Sequence, residues 1–117
     1  MTDYDNLGIV GEIQRKIQEL ENSIKQLRNT GSDYAESEKE YKLAVNRRVL
    51  ELRANDTAVG IINLTIYGYQ DIALLRFKRD CAKVIYQANL EHINATKLII
   101  RILEAQLSRE WGADLSD

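Results

Sequence analysis

The sequence contains no proline in 117 residues, whereas average usage near 5% would give about six. Proline is excluded from helix interiors because it lacks the backbone N–H and its ring clashes with the preceding turn. Leu, Ile, Glu, Lys, Arg, Gln and Ala together make up more than half of the chain, and most of them are good helix formers. The composition therefore predicts an all-α protein.

Cysteine and histidine each occur once, as Cys81 and His92. On one helix these side chains would lie roughly 16 Å apart, too far to share a metal ion or to act as nucleophile and base. The sequence also lacks the Glu-x-x-His pair of di-iron bundles, and its glycines form neither a phosphate loop nor a dinucleotide fingerprint. We therefore predict no catalytic residue, no cofactor and no metal, and a protein that is not an enzyme.

Long hydrophobic runs and an excess of one charge are also absent. No apolar run approaches the roughly 18 residues that a membrane span needs, and the N-terminal residues lack the basic and apolar regions of a signal peptide. The net charge of -2 gives no global basic field that would attract nucleic acid. We expect a single domain over residues 1–117, located in the cytoplasm and without membrane contact.

Residues 9–29 have the clearest hydrophobic periodicity in the chain. Apolar residues alternate at spacings of three and four, which is a heptad seam, on an otherwise polar helix: Val10, Ile13, Ile17, Leu20, Ile24 and Leu27. A narrow seam of this kind requires a partner helix. The β-branched residues at its first core position favour a parallel homodimer through these six residues, and the alternative is that the seam folds against a later helix of the same chain.

Three further helices are expected after this one. Asn29-Thr30-Gly31 is typical of a helix end, and Asp33 with Glu36 is typical of the start of a second helix over residues 34–54, which would lie antiparallel to the first. Asn55-Asp56-Thr57 ends that helix. Residues 58–67 predict a short helix, although their β-branched residues leave an edge-paired strand in an oligomer as an alternative.

The last predicted helix covers residues 69–111 and has two apolar seams. The first contains Ile72, Leu75, Ala82, Tyr86, Ile93, Ile100, Leu103 and Leu107. The second contains Leu74, Cys81, Ile85, Ala88, Ile99 and Ile102. Two seams predict helix contacts on two sides. The expected architecture is therefore an elongated helical bundle with a coiled-coil-like N-terminal helix and one long C-terminal helix.

Several basic and aromatic residues are candidates for partner contact: Arg47, Arg48, Tyr67, Tyr69, Arg76, Arg79 and Trp111. Tyrosine and tryptophan combine a large contact area with a polar tip and are enriched at protein interfaces. The arginines could meet phosphate groups, but acidic residues are interleaved with them, and mixed charges on a helix are typical of a salt-bridged solvent surface. Some of the tyrosines could instead belong to the core.

Residues 41–53, 72–80 and 100–107 carry a helical texture that resembles small early-region proteins of bacteriophages of Gram-positive bacteria. The resemblance extends over residues 41–111 and offers no functional residue to transfer. It implies an accessory role near replication and recombination or against host defence, in the cytoplasm of the host cell. We therefore expect a helical module that binds and inhibits or recruits a host protein, with a nucleic-acid-associated replication or recombination accessory as the alternative.

Overall fold

The computed structural model describes residues 2–116, with side chains from residue 8 to residue 112. Helix α1 spans Thr2–Ala54, α2 spans Val59–Thr65, a 3-10 turn spans Ile66–Gly68, and α3 spans Gln70–Ser116. The described residues contain no strand. The all-α prediction, with one long N-terminal and one long C-terminal helix, is confirmed.

The predicted break at residues 29–34 is wrong, because α1 continues through it without interruption. Gly31 is helical, and a Cβ atom built on it would lie 3.2 Å from Cε1 of Tyr86. The glycine therefore makes room for the tyrosine ring and does not turn the chain. Its cost in a helix, about 1 kcal/mol, is smaller than the gain from continuing a long cooperative helix.

Other boundaries of α1 and α3 also differ from the prediction. The predicted helices 9–29 and 34–54 are consecutive parts of α1, which begins at Thr2, so they are not antiparallel neighbours. Asp33 caps no helix start, and its carbonyl oxygen accepts a hydrogen bond from Oγ of Ser37 at 2.7 Å. Helix α3 extends past Gly112 to Ser116, since one exposed glycine near a helix end weakens the helix only slightly.

Helix α1 ends at the predicted place, in a Schellman motif. The N–H of Thr57 donates to the carbonyl of Leu52 at 3.0 Å, and the N–H of Asp56 donates to that of Arg53 at 3.1 Å. Asp56 has a φ of 60°, the left-handed conformation that this position requires and that glycine usually supplies. The polar Asn55-Asp56-Thr57 segment therefore closes the helix without glycine.

The short helix predicted over residues 58–67 is confirmed as α2 together with the 3-10 turn that follows it, although Ala58 itself is extended, and the strand alternative is wrong. Ile62 and Ile66 lie four residues apart on one face, and both are buried in a cluster with Tyr41 and Ile72. This burial overrides the strand preference of the β-branched residues, because β-propensity depends on packing context. Helix α2 is thereby attached to both long helices.

The chain divides into two compact units. Unit 1 takes its residues from 1–28 and 88–117. Its helices run antiparallel, since Nδ2 of Asn89 donates to the carbonyl of Ser23 at 3.1 Å and His92 Nε2 lies 3.2 Å from Oε1 of Glu19. Its buried side chains, among those described, are Ser23, Ile93, Thr96 and Ile100. The prediction of a single domain over residues 1–117 stays a prediction.

Unit 2 comprises residues 29–87 and contains α2. Its parts of α1 and α3 are also antiparallel, because Arg48 pairs with Asp71 and Glu40 pairs with Lys78. The core of Tyr41, Ile62, Ile66 and Ile72 is surrounded by partly buried residues: Ala44, Val45, Val49, Leu52, Tyr69 and Leu75. Unit 2 therefore has three helical elements around one apolar centre.

The two predicted seams of α3 have different environments. Every residue of the first seam is buried or half-buried in its unit. Every residue of the second seam is exposed: Leu74, Cys81, Ile85, Ala88, Ile99 and Ile102. The first seam is confirmed as the face that packs within the chain, and the second has no cover within it.

Candidate protein-binding surface

Exposed apolar side chains outnumber buried ones in the described part of the chain. Six hydrophobic residues are buried, whereas sixteen large hydrophobic residues are exposed. Scattered exposed apolar residues are normal on a soluble protein, but clusters of them mark sites of protein contact. The distribution of these sixteen residues therefore decides where a partner can bind.

One cluster is the outer face of α2, formed by Ile61 and Leu64, which lie three residues apart, and called here the α2 ridge. Val59 of the same helix is also exposed, but it lies on a different face. Leu64 is 83% exposed, the largest value among the exposed hydrophobic residues of the described chain. Ile62 of α2 and Ile66 of the 3-10 turn that follows it are both buried in the core, so this segment carries apolar side chains on its inner and its outer side. Asn63 and Thr65 of the same helix are polar and exposed, so the ridge is a local apolar surface that the described part of the chain leaves uncovered.

Three tyrosines of unit 2 carry arginines over their rings. The guanidinium carbon lies 4.3 Å from the ring centre in the pair Arg48–Tyr69, 5.3 Å in Arg76–Tyr67 and 4.7 Å in Arg79–Tyr41. These distances are within the range of cation–π attraction. Each pair holds an arginine against an aromatic ring and limits the positions from which that arginine could reach a ligand.

Two of these arginines, Arg48 and Arg79, also form ion pairs with carboxylates. Arg48 lies 2.9 Å from Oδ2 of Asp71 and 3.6 Å from Oε2 of Glu51, and Arg79 lies 2.8 Å from Oδ1 of Asp80. Both guanidinium groups are thus neutralised by carboxylates of their own chain. This region of unit 2 offers less positive charge to a phosphate than its arginine content suggests.

Five of the seven predicted partner-contact residues lie in unit 2 and take part in these contacts. They are Arg48, Tyr67, Tyr69, Arg76 and Arg79. Arg47 lies on α1 in the same unit and is exposed. Trp111 is exposed too and belongs to unit 1.

Tyr41 and the α2 ridge were not among the predicted partner-contact residues. Tyr41 meets Arg79 only because α1 and α3 fold together, so no local pattern reveals the pair. The ridge did have a signal in the sequence. Seven of the ten residues in 58–67 are apolar, which is more apolar surface than a short helix can turn toward one core.

A shallow cleft of about 360 Å³ lies in unit 2, lined by Tyr41, Lys42, Val45, Asn46 and Tyr67. Its walls are aromatic and aliphatic, with an ammonium group and an amide among them. Tyr67 follows Leu64 by three residues, so the cleft and the α2 ridge are adjacent parts of one surface. The cleft can take an apolar side chain of a partner, and its polar groups can orient it.

The predicted homodimer seam of α1 lies in unit 1. Val10, Ile13, Leu20 and Leu27 are half-buried there, whereas Ile17 and Ile24 are exposed. Part of the seam is therefore used within the chain, as the alternative of folding against a later helix requires. A parallel homodimer through all six residues stays a prediction.

The polar groups of unit 1 form surface pairs. The Lys16 ammonium donates to Glu19 at 3.1 Å, and this hydrogen bond is the main reason that the pKa of Glu19 lies below its ordinary value. A hydrogen bond from Arg15 lowers the pKa of Glu12 in the same way. The described residues contain no group of three or more His, Cys, Asp or Glu that could hold a metal ion.

No helix among the described residues combines the length and apolar character needed to cross a bilayer. Comparison of the chain with protein-family models, with curated proteins and with solved structures gives no match.

Proposed function

We propose that this chain is a non-enzymatic, coiled-coil-like helical module that binds another protein through the surface around α2. The observation that carries the proposal is the α2 ridge, where two large apolar side chains, Ile61 and Leu64, are exposed on a helix whose other side is already in the core. The adjacent cleft beside Tyr41 and Tyr67 supplies an aromatic pocket. Aromatic and aliphatic groups of this kind dominate the energetics of protein interfaces.

The partner that we propose is a host protein in the cytoplasm, which the module binds in order to inhibit or recruit it. This part of the proposal is supported by the resemblance of residues 41–111 to phage accessory proteins. Helical modules without active-site chemistry act by covering or joining surfaces of other proteins, and an apolar ridge with an adjacent cleft suits either action.

Nucleic-acid binding is the less favoured reading. Binding of this kind depends on lysines and arginines that neutralise phosphates and release counterions. Arg48 and Arg79 are already paired with carboxylates, and Lys78 pairs with Glu40 at 3.1 Å. We therefore expect no binding to single- or double-stranded DNA tighter than about 10 μM at 150 mM salt.

The proposal is tested by capture from a host lysate with two matched variants. Ile61→Glu changes the α2 ridge, and Ile102→Glu changes an isoleucine of unit 1 that is exposed to the same degree, 54% against 52%. We expect that wild type and Ile102→Glu capture the same protein, that this capture survives moderate salt, and that Ile61→Glu loses it. Equal capture by both variants would contradict the proposal.

A gel-shift titration at 50 and 200 mM salt tests the nucleic-acid reading in parallel. Engagement of six or more phosphates should weaken binding by roughly a thousandfold or more between these salt concentrations. Submicromolar binding with that salt dependence, without capture of a protein, would reject the protein-binding proposal in favour of the nucleic-acid one.

A further inference from the structure

A second apolar surface lies on α3 of unit 2, on the side turned away from α1. It consists of Leu74, Phe77, Cys81, Val84 and Ile85, and is called here the α3 stripe. All five residues are exposed, and Phe77 is 68% exposed. Their spacings of three, four, three and one place them on one helix face, as in a heptad seam. Ile72, Leu75, Ala82 and Tyr86 occupy the other face, which is turned toward the interior of unit 2.

The area of the α3 stripe matches what a stable dimer needs. Each of its large side chains exposes on the order of 100 Å², so one stripe offers roughly 400–500 Å² of apolar surface. Two stripes in contact would bury roughly 900 Å² of apolar area. Because interfaces are about 57% non-polar, this corresponds to an interface of about 1,600 Å², the usual size for a specific complex.

The order of side-chain sizes along the α3 stripe fits a second copy in antiparallel orientation. Leu74 and Cys81 form one column of the stripe, and Phe77 and Val84 form the other. Antiparallel pairing about a two-fold axis sets Phe77 against Cys81 of the second copy, and Leu74 against Val84. Large residues then face small ones, which gives even layers. Parallel pairing would set Phe77 against Phe77 and leave a gap at Cys81.

The charges that border the stripe are compatible with such pairing. Lys78 and Asp80 flank it on either side. Lys78 lies 3.1 Å from Oε2 of Glu40, and Asp80 lies 2.8 Å from Nη2 of Arg79. The charges of Lys78 and Asp80 are therefore balanced by residues of their own chain. Two copies of the stripe can approach each other with little electrostatic repulsion. A strongly charged partner would gain little from the same borders.

We propose that the α3 stripe binds the α3 stripe of a second copy, giving an antiparallel two-fold homodimer. This surface differs from the predicted α1 seam, which is partly used within unit 1, and from the α2 ridge. The dimer therefore does not depend on the proposed host-protein function, and each can fail separately.

Sedimentation velocity over a range of concentrations tests the dimer and its location. Phe77→Glu should weaken the dimer by at least about 30-fold in Kd, as expected for a central interface residue. Leu50→Glu is the matched control, because Leu50 is 67% exposed on α1 of the same unit. Ile17→Lys probes the α1 seam. Circular dichroism checks that each variant stays helical.

The expected result is dimer in the wild type, Leu50→Glu and Ile17→Lys, and monomer in Phe77→Glu. A monomeric wild type, or a dimer lost with Ile17→Lys but retained with Phe77→Glu, would overturn the proposal. The second outcome would assign dimerisation to the α1 seam instead.

Disulfide formation tests the orientation. Two chains are prepared in a Cys81→Ala background, one with Leu74→Cys and the other with Val84→Cys, and are mixed under mild oxidation. The antiparallel dimer predicts mixed disulfides between positions 74 and 84, because these residues face each other. Disulfides joining identical chains at position 74 or at position 84 would show parallel pairing and overturn the antiparallel arrangement.

Discussion

Unit 2 buries Tyr41, Ile62, Ile66 and Ile72 around the short helix α2, whereas the described interior of unit 1 contains two buried isoleucines beside Ser23 and Thr96. Both units use parts of the same two long helices. The difference lies in the third element, since two helices alone leave much of each helix in contact with water. In unit 2, α2 packs against the apolar residues that α1 and α3 turn toward the interior. We therefore expect unit 2 to supply most of the stability of the chain.

The largest expected effect compares one buried isoleucine from each unit. Ile72 has no exposed surface and lies at the centre of the unit 2 core. Ile72→Ala should lower the free energy of unfolding by about 4 kcal/mol, near the upper part of the usual range for such cavities. Ile93→Ala in unit 1 should cost about 2 kcal/mol, because a two-helix interior can relax around the deletion.

Urea denaturation followed by circular dichroism measures both values. A second, separate transition confined to one unit would show that the units unfold independently. Equal losses for the two variants would contradict the view that unit 2 holds the main core.

Glycine substitutions sharpen the comparison at two positions within α1. Gly31 in unit 2 contacts Tyr86, and the added methyl groups of Gly31→Val must displace that ring and disturb its contact with Tyr34, whose ring centre is 5.9 Å away. We expect a loss of about 2 kcal/mol from overpacking. Gly11 in unit 1 has open space around it, so Gly11→Ala should stabilise the chain by about 0.5–1 kcal/mol.

Thermal unfolding monitored by circular dichroism checks the opposite signs of these two changes. If Gly31→Val were neutral or stabilising, Gly31 would not be required for the approach of Tyr86.

The turn that closes α1 gives a smaller expected effect. Asp56 adopts the left-handed conformation at a φ of 60°, which is costly for a residue with a Cβ atom. Asp56→Gly should stabilise the chain by about 0.5–1 kcal/mol in urea denaturation, since glycine is the preferred residue at this position of a Schellman motif. Asp56→Ala is the control and should destabilise it.

The smallest expected effect concerns the surface charges of unit 1. The folded-state pKa of Glu19 lies below its ordinary value of 4.5, mainly because Lys16 donates to it. Stability from this carboxylate is therefore present above the ordinary pKa and is lost as pH falls through the lowered folded-state value. Lys16→Met should raise the pKa of Glu19, as measured by NMR titration.

The difference in free energy of unfolding between wild type and Lys16→Met should be small at pH 7. It should disappear once the pH is low enough for Glu19 to be protonated in the folded wild type. Glu36→Gln, which changes an exposed carboxylate of unit 2, serves as the control and should leave the pKa of Glu19 unchanged. A stability difference between wild type and Lys16→Met that grows as the pH is lowered would contradict this expectation.

Local sequence was sufficient for several features of this protein. The absence of proline and the helix-forming composition predicted an all-α chain, because helix propensity is set by each residue and its near neighbours. Asn55-Asp56-Thr57 marked the end of α1, and the first seam of α3 identified the face that packs within the chain. These features depend on residues a few positions apart.

Only the tertiary structure decided the features that depend on distant residues. Gly31 has the sequence signature of a helix end, yet α1 continues through it, and Tyr86, 55 positions later, packs against it. Arg48, Arg76 and Arg79 resemble a phosphate-binding group in sequence, yet the fold sets them against tyrosine rings, and two of them against carboxylates. The physical reason is that the apolar periodicity of a helix shows which of its faces are apolar. Which of these faces are buried within the chain depends on contacts between distant residues, and only the folded structure determines them.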